Sequence, residues 1–402
     1  MQFDFFRKAE WLDKNRALGY LHLLALLHVL MLALLLLTSR NGVDLNGFLI
    51  GTDFISFWTS GRMLSAGANV YDIAAHTAAQ REFYSMPEHF TGFFYPPGLL
   101  PIVWPLGTLP YFAALAVWIV LTGIGWLSAL QAWFSKLGLN PPTFIVIAAF
   151  PPIIVTITHG QTAFLVGALL GGGLLMVREK PWLAGALLGL ATIKPQFGLL
   201  VPIALLAGGR WCAIVAAAAS ALGLAGLATW QFGPQVWSEW FSVMAVASRA
   251  TDDGAIGFGK MVSLFAGLRL LGVSTNIALS AQIALTLAIC ICIAFTAWRR
   301  PFSPGLAALV LAGTPLTTPF ILDYDLTLTA FPLVYLFSLA TPKAFLGWER
   351  IGIAALFVSV DFARPAAMYL GMPLMPFLLI ALFLLVLRRA HAEAVPCPPR
   401  PW

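Results

Sequence analysis

The chain has 402 residues, of which 60% are hydrophobic and 10% charged. Soluble domains carry roughly 25% charged residues, so water is excluded as the main solvent of this fold, and the apolar runs are too continuous to divide into several soluble domains. The formal charge of +6 comes from basic residues scattered between apolar runs, not gathered in a stripe, which excludes nucleic acid as a partner.

Arg7, Lys8, Lys14 and Arg16 precede an apolar run from Ala17 to Leu37. The run is longer than a signal-peptide core and no small-residue cleavage pattern follows, so a retained first span is expected over 18–38. By apolar length, further spans are predicted at 110–134, 142–158, 162–177, 211–230, 274–297, 304–321, 325–341, 345–361 and 371–388. The stretch 181–207 reads either as one helix kinked at Lys194-Pro195 or as two short helices of a re-entering hairpin. Basic residues favour the cytoplasmic side and decide between the two. With a hairpin and twelve crossings, fifteen of the 23 Lys and Arg residues fall inside and eight outside. A single span would send Arg210, Arg299, Arg300, Arg388 and Arg389 to the wrong side. The expectation is an all-α polytopic membrane protein of about twelve transmembrane helices, with both termini cytoplasmic. One domain covers 1–390, and the proline-rich 391–402 is expected to be a disordered cytoplasmic tail.

The long segments 39–109 and 231–273 then lie outside, with most of the carboxylates, so function is expected on the extracytoplasmic face. Within 39–109, Phe54 to Ala66 reads as an interfacial helix and Ile73 to Tyr84 as a second helix. Pro96-Pro97 turns the chain back to the membrane. Cys212, Cys290, Cys292 and Cys397 have no metal-site spacing and read as apolar fillers. There is no GxxxxGK[ST] loop, no HExxH and no soluble cytoplasmic domain, so nucleotide hydrolysis is not available to this chain alone.

Asp53 stands beside Phe54, Phe57 and Trp58 at the expected membrane surface, where desolvation favours proton uptake. An Asp just before an apolar helix also reads as an N-cap, and the two roles are compatible. Lys194, flanked by apolar segments and followed by proline, is costly unless it reaches an anion or the interface. His159-Gly160-Gln161 forms a tight outer turn whose polar side chains can bond a phosphate or a sugar hydroxyl. Arg62, Lys260 and Arg364 are further outer cations, each equally readable as a solvated charge. Phe94-Tyr95-Pro96-Pro97-Gly98 can pack on a sugar or an isoprenoid, or belong to an aromatic belt. Asp323-Tyr324-Asp325 has the DxD pattern of metal-dependent sugar transferases. On a helix the two carboxylates would diverge, so a cap or a sugar contact is the expected role.

Asp53-Phe54 with Gly61-Arg62, Gly67-Ala68-Asn69-Val70-Tyr71-Asp72, Phe94-Tyr95-Pro96-Pro97 with Pro105-Leu106, Gly160-Gln161, Gly185 to Lys194-Pro195-Gln196, and Asp323-Tyr324-Asp325 occur in this order. Together they resemble glycosyltransferase family 87. Phe57-Trp58 departs from the resemblance, which would place tyrosines there. The resemblance implies the type C glycosyltransferase bundle and polyprenyl-phosphate-mannose-dependent mannosyl transfer. It maps the catalytic base, an aspartate of the first outer loop, to Asp53. A lipid-phosphate donor is compatible with Lys194, His159, Arg62 and Lys260 as phosphate contacts, and a sugar or acceptor with Gln161, Tyr95, Asp323, Asp325 and Trp58. No cofactor is implied, and a divalent cation at Asp323 and Asp325 is not expected. The implied partners are a polyprenyl-phosphate sugar, a lipid or glycan acceptor and membrane lipids, in a bacterial-type inner (plasma) membrane. The main alternative is a transporter or flippase for a lipid-linked sugar. It would call for broken helices in paired halves, and the sequence has one broken hairpin without an obvious second copy.

Overall fold

The computed structural model describes residues 2–83, 91–252, 254, 257–340 and 345–392. Its backbone is helical, with only isolated bridges such as Met261 to Leu322 among the described residues. Six helices are long and apolar enough to cross a membrane: Lys14–Thr38, Tyr111–Lys136, Trp211–Phe232, Thr275–Arg299, Glu349–Leu370 and the last, which begins at Leu374. This is a polytopic membrane protein. Local chemistry sets the helix ends. Asp13 accepts the Arg16 N–H ahead of the first long helix. Proline in the first turn opens Pro151–His159, Pro181–Leu190 and Pro304–Gly313.

Several expected spans are shorter than their apolar runs. Residues 142–158 form two helices, Phe144–Ala148 and Pro151–His159, because Pro151 and Pro152 cannot continue a helix. The 304–321 run is helical to Gly313 and then tightens to a 3-10 turn at Thr314–Leu316 around Pro315. The 325–341 run opens as the 3-10 helix Asp323–Thr329 before Ala330–Ala340. Every residue from Gly305 to Gly313 is buried, so these breaks face protein, where freed backbone groups are tolerated. Phe54–Ser65 is not the surface helix that its composition suggests: nine of its residues are buried, from Phe54 to Gly61 and Met63. The expected disordered tail lies outside the described residues from 393 onward, and Tyr84 is outside them as well.

The hairpin is present. Pro181–Leu190 and Trp211–Phe232 run parallel, Gly185 packing on Ala213 and Ala216, and Gly189 on Ala217 and Ser220. The chain must therefore travel back to the start of Pro181–Leu190 before Trp211 begins, and Pro195 to Ala207 makes that return. Lys194 sits at the tip. One end of the bundle is tied by charged and carbonyl contacts: Lys136 to Glu179, Arg300 to the carbonyls of Ala390 and His391, Arg389 to Glu349, and Trp348 N–H to the Arg7 carbonyl. Tyr111, at the far end of the Tyr111–Lys136 helix, donates instead to Gly51 O (2.8 Å). Twenty-five residue steps at 1.5 Å separate these ends by roughly 38 Å.

The first long helix is buried only at Ala25 and His28. His28 Nδ1 lies 2.8 Å from Ala148 O, and Nε2 lies 3.2 Å from both carboxyl oxygens of Asp361. Polar ties between membrane helices contribute about 1 to 2 kcal/mol. We expect His28→Leu to lower thermal stability in detergent by that amount. An unchanged unfolding midpoint would show that the pair does not anchor this helix.

Candidate active site

The loop carrying Asp53 is fixed by its backbone. Gly51 N–H donates to Thr158 O (2.8 Å) and Asp53 N–H to His159 O (3.0 Å), while Thr91 Oγ1 donates to Thr52 O (2.8 Å). Gly160 ends Pro151–His159 in the left-handed region (φ 68°), and a Cβ there would press on Phe54 and Leu115. That close approach brings Asp53 beside Gln161. The Asp53 side chain makes no capping bond to Phe54–Ser65. Its Oδ2 instead accepts from Gln161 Nε2 at 2.9 Å. The N-cap reading therefore does not describe the carboxylate.

Asp53 lines a cavity of about 1680 Å³ together with His159, Gln161, Tyr95, Lys194, Lys260, Tyr324 and Arg364. Asp44, Asn46, Gln80 and Gln196 add further polar groups, and much of the remaining wall is apolar, among it Met31, Leu34 and Leu35 of the first long helix, Ile154 and Val155, and Phe265, Leu279 and Met244. Tyr95 OH donates to Gln161 Oε1 (2.7 Å). His159 Nδ1 is engaged by Val155 O (2.9 Å), so Nε2 carries the lone pair when the ring is neutral. Lys194, 3% exposed, donates to Asp325 Oδ1 (2.5 Å), and its ammonium stands over the rings of Phe197 and Tyr324 at 4.8 and 5.3 Å. It lies within electrostatic reach of Asp53.

The other expected site residues are placed differently. Trp58 is buried outside the cavity lining, with Nε1 bonded to Leu109 O, and Arg62 covers its ring at 5.0 Å on the exposed side. Asp323 and Asp325 part company: Asp323 pairs with Arg364 (3.0 Å), Asp325 with Lys194, and neither carboxylate lines the large cavity. Among the described residues, no three His, Cys, Asp or Glu side chains are grouped as metal ligands would be. Sequence reasoning passed over Tyr324 as a lining residue, and also the network behind Asp53. In that network His76 Nε2 lies 3.1 Å from Ser60 Oγ, Gln80 lies 3.0 Å from His76 Nδ1, and Gln80 exchanges hydrogen bonds with the Thr91 backbone. The spacing of His76 and Gln80, four apart on Ile73–Phe83, was the available signal.

Burial holds the His76 imidazole down at about 4. The unfolded chain takes up that proton near the ordinary value of 6.5, so it binds more protons than the folded chain between these limits. Stability contributed by this lobe is therefore full above pH 6.5, falls as pH drops toward 4 and levels off below, for a loss of about 3 kcal/mol. Hydrogen exchange of the 54–83 amides across this range checks it. A His76→Gln protein should lack the step, and its persistence there would assign it to another group.

Fold and cavity together define a polytopic membrane protein with a chamber at the end of its helices opposite the basic ties, lined by the carboxylates of Asp53 and Asp44. Residues 93–319 match the model of glycosyltransferase family 87. The match covers more than half of the chain, and the protein belongs to that family. Tyr95, His159, Gln161, Lys194 and Lys260 lie within the matched segment; Asp53, Trp58, Arg62, Asp323 and Asp325 lie outside it. No curated protein and no solved structure matches the chain. A membrane glycosyltransferase works with a sugar donor and an acceptor in a lipid environment.

Proposed function

We propose that the protein transfers a sugar, mannose by family resemblance, from a polyprenyl-phosphate donor to an acceptor hydroxyl on the extracytoplasmic side of a bacterial-type inner membrane. The observation that carries this reading is the Asp53 carboxylate in the cavity: Gln161 holds Oδ2, and Oδ1 has no hydrogen bond within the described protein. Oδ1 takes the proton of the acceptor hydroxyl as that oxygen attacks the anomeric carbon. The bond from carbon to the phosphate oxygen breaks, and polyprenyl phosphate departs with the electron pair. One base and one displacement give inversion. The leaving group is already a phosphate anion, so no general acid is needed.

The apolar walls suit an isoprenoid, and the charged end suits its phosphate. Lys260 is the cavity group proposed to meet that phosphate first, joined by His159 only as the imidazolium, whose Nε2–H can donate. Lys194, already balanced by Asp325, adds charge from behind. Because Asp323 and Asp325 each have their own cation, neither is offered as a metal ligand, and the reaction is proposed to run without one. The basic end of the bundle, with Arg7, Lys136, Arg300 and Arg389, is assigned to the cytoplasm by the preference of positive charge for that side.

The test is the purified protein in vesicles supplied with polyprenyl-phosphate mannose labelled in the sugar, together with membrane lipids and glycans as acceptors. Label appearing in a new product supports transfer. Label that changes leaflet but stays on its carrier would replace this reading with a transporter.

A further inference from the structure

Gln161 was expected to contact sugar or acceptor, yet its amide has little left to offer a ligand. Nε2 donates to Asp53 Oδ2 (2.9 Å), while Oε1 accepts from Tyr95 OH (2.7 Å) and from its neighbour Thr162 N–H (3.0 Å). Two donors aimed at one atom fix that atom as oxygen, so the amide cannot turn over, and its nitrogen must face the carboxylate. Gln161 is itself 7% exposed and directly follows Gly160, where a Cβ would meet Phe54. Tyr95 is steadied in turn by the edge of Phe57 (5.2 Å between ring centres). Three side chains from three separate segments, Tyr95, Gln161 and Asp53, thus form one directed chain of hydrogen bonds.

We infer that Gln161 is a positioning residue that locks the Asp53 carboxylate in one orientation and reserves Oδ1 for the incoming hydroxyl, with Tyr95 locking Gln161. This rests on Asp53 being the base. The Gln161 N–H fixes the plane of the carboxylate by holding one of its two oxygens. It also occupies Oδ2, which limits the directions from which an acceptor hydroxyl can be deprotonated. The acceptor's reactive oxygen therefore approaches from the Oδ1 side alone.

The variants are Gln161→Met, equal in length but unable to donate, and Tyr95→Phe, which frees one bond to Oε1 and leaves the fold intact. Two readouts are taken on the full chain in detergent. The first is the infrared carboxylate stretching band that disappears in Asp53→Asn, read at a single pH without substrate. Its frequency should shift in Gln161→Met, which removes the donor to Oδ2, and by less in Tyr95→Phe. The second is transfer from labelled polyprenyl-phosphate mannose, where kcat should fall about 10- to 100-fold with KM for the donor little changed. A band unchanged from the wild type, with KM raised instead, would overturn the inference and return Gln161 to ligand binding. A shifted band in a protein that never transfers sugar would uphold the positioning contact and reject the base assignment, so the two failures are distinct.

Discussion

Asp53→Asn is expected to reduce sugar transfer by about 10²- to 10⁴-fold while leaving the protein folded and able to bind its donor. Asparagine has the size of aspartate and can still pair with Gln161 through its amide oxygen, so the local hydrogen bond is retained. What it loses is the capacity to take a proton. The Asp53 side chain makes no cap contact with Phe54–Ser65, so the substitution removes no helix-capping energy. An equal loss of stability and activity would indicate that the carboxylate is structural. Asp53→Glu should recover little, because the longer side chain moves the oxygens away from the position that Gln161 defines.

Lys194 and Asp325 should show the largest effect on stability. The two are 3% and 1% exposed, and removing one charge from a buried pair costs about 3 to 5 kcal/mol. Either Lys194→Met or Asp325→Leu should therefore reduce folded yield sharply. Combining both replaces the pair with apolar groups of similar volume and should return stability to within about 1 to 2 kcal/mol of the wild type. Activity separates the two roles of the lysine. If Lys194 supports the donor phosphate, the stable double variant still transfers poorly, with a raised KM for the donor. Full activity in the double variant would make the pair a tie between the hairpin tip and the Asp323–Thr329 turn, and nothing more.

Much of this was legible before any coordinates. The distribution of Lys and Arg called for a hairpin at 181–207, and the parallel packing of Gly185 on Ala213 requires one. Asp53, Tyr95, His159, Gln161 and Lys194 do line one cavity. Arg62 does not line that cavity, and its spacing agrees: nine residues after Asp53 on a helix, it points about 180° away. Trp58, five residues on, is turned about 140° from Asp53 and packs inward. The pairings of Lys194 with Asp325, Arg364 with Asp323 and His28 with Asp361 were not legible. Each joins segments at least 41 residues apart, and one sequence carries no record of which buried charges meet. The role of Gln161 was hidden for a related reason. A glutamine in a turn looks the same whether it faces a ligand or a carboxylate, and the Thr162 N–H together with Tyr95 OH settles which way its amide points.

The account stands or falls on where the donor's head lies. A structure of the Asp53→Asn protein with polyprenyl-phosphate mannose bound would locate it directly. We expect the anomeric carbon to lie one hydroxyl group's width from residue 53, on the side away from Gln161, with the phosphate toward Lys260 and the isoprenoid along apolar walls of the chamber. A donor seated at the opposite end, among Lys136, Arg300 and Arg389, would contradict the account.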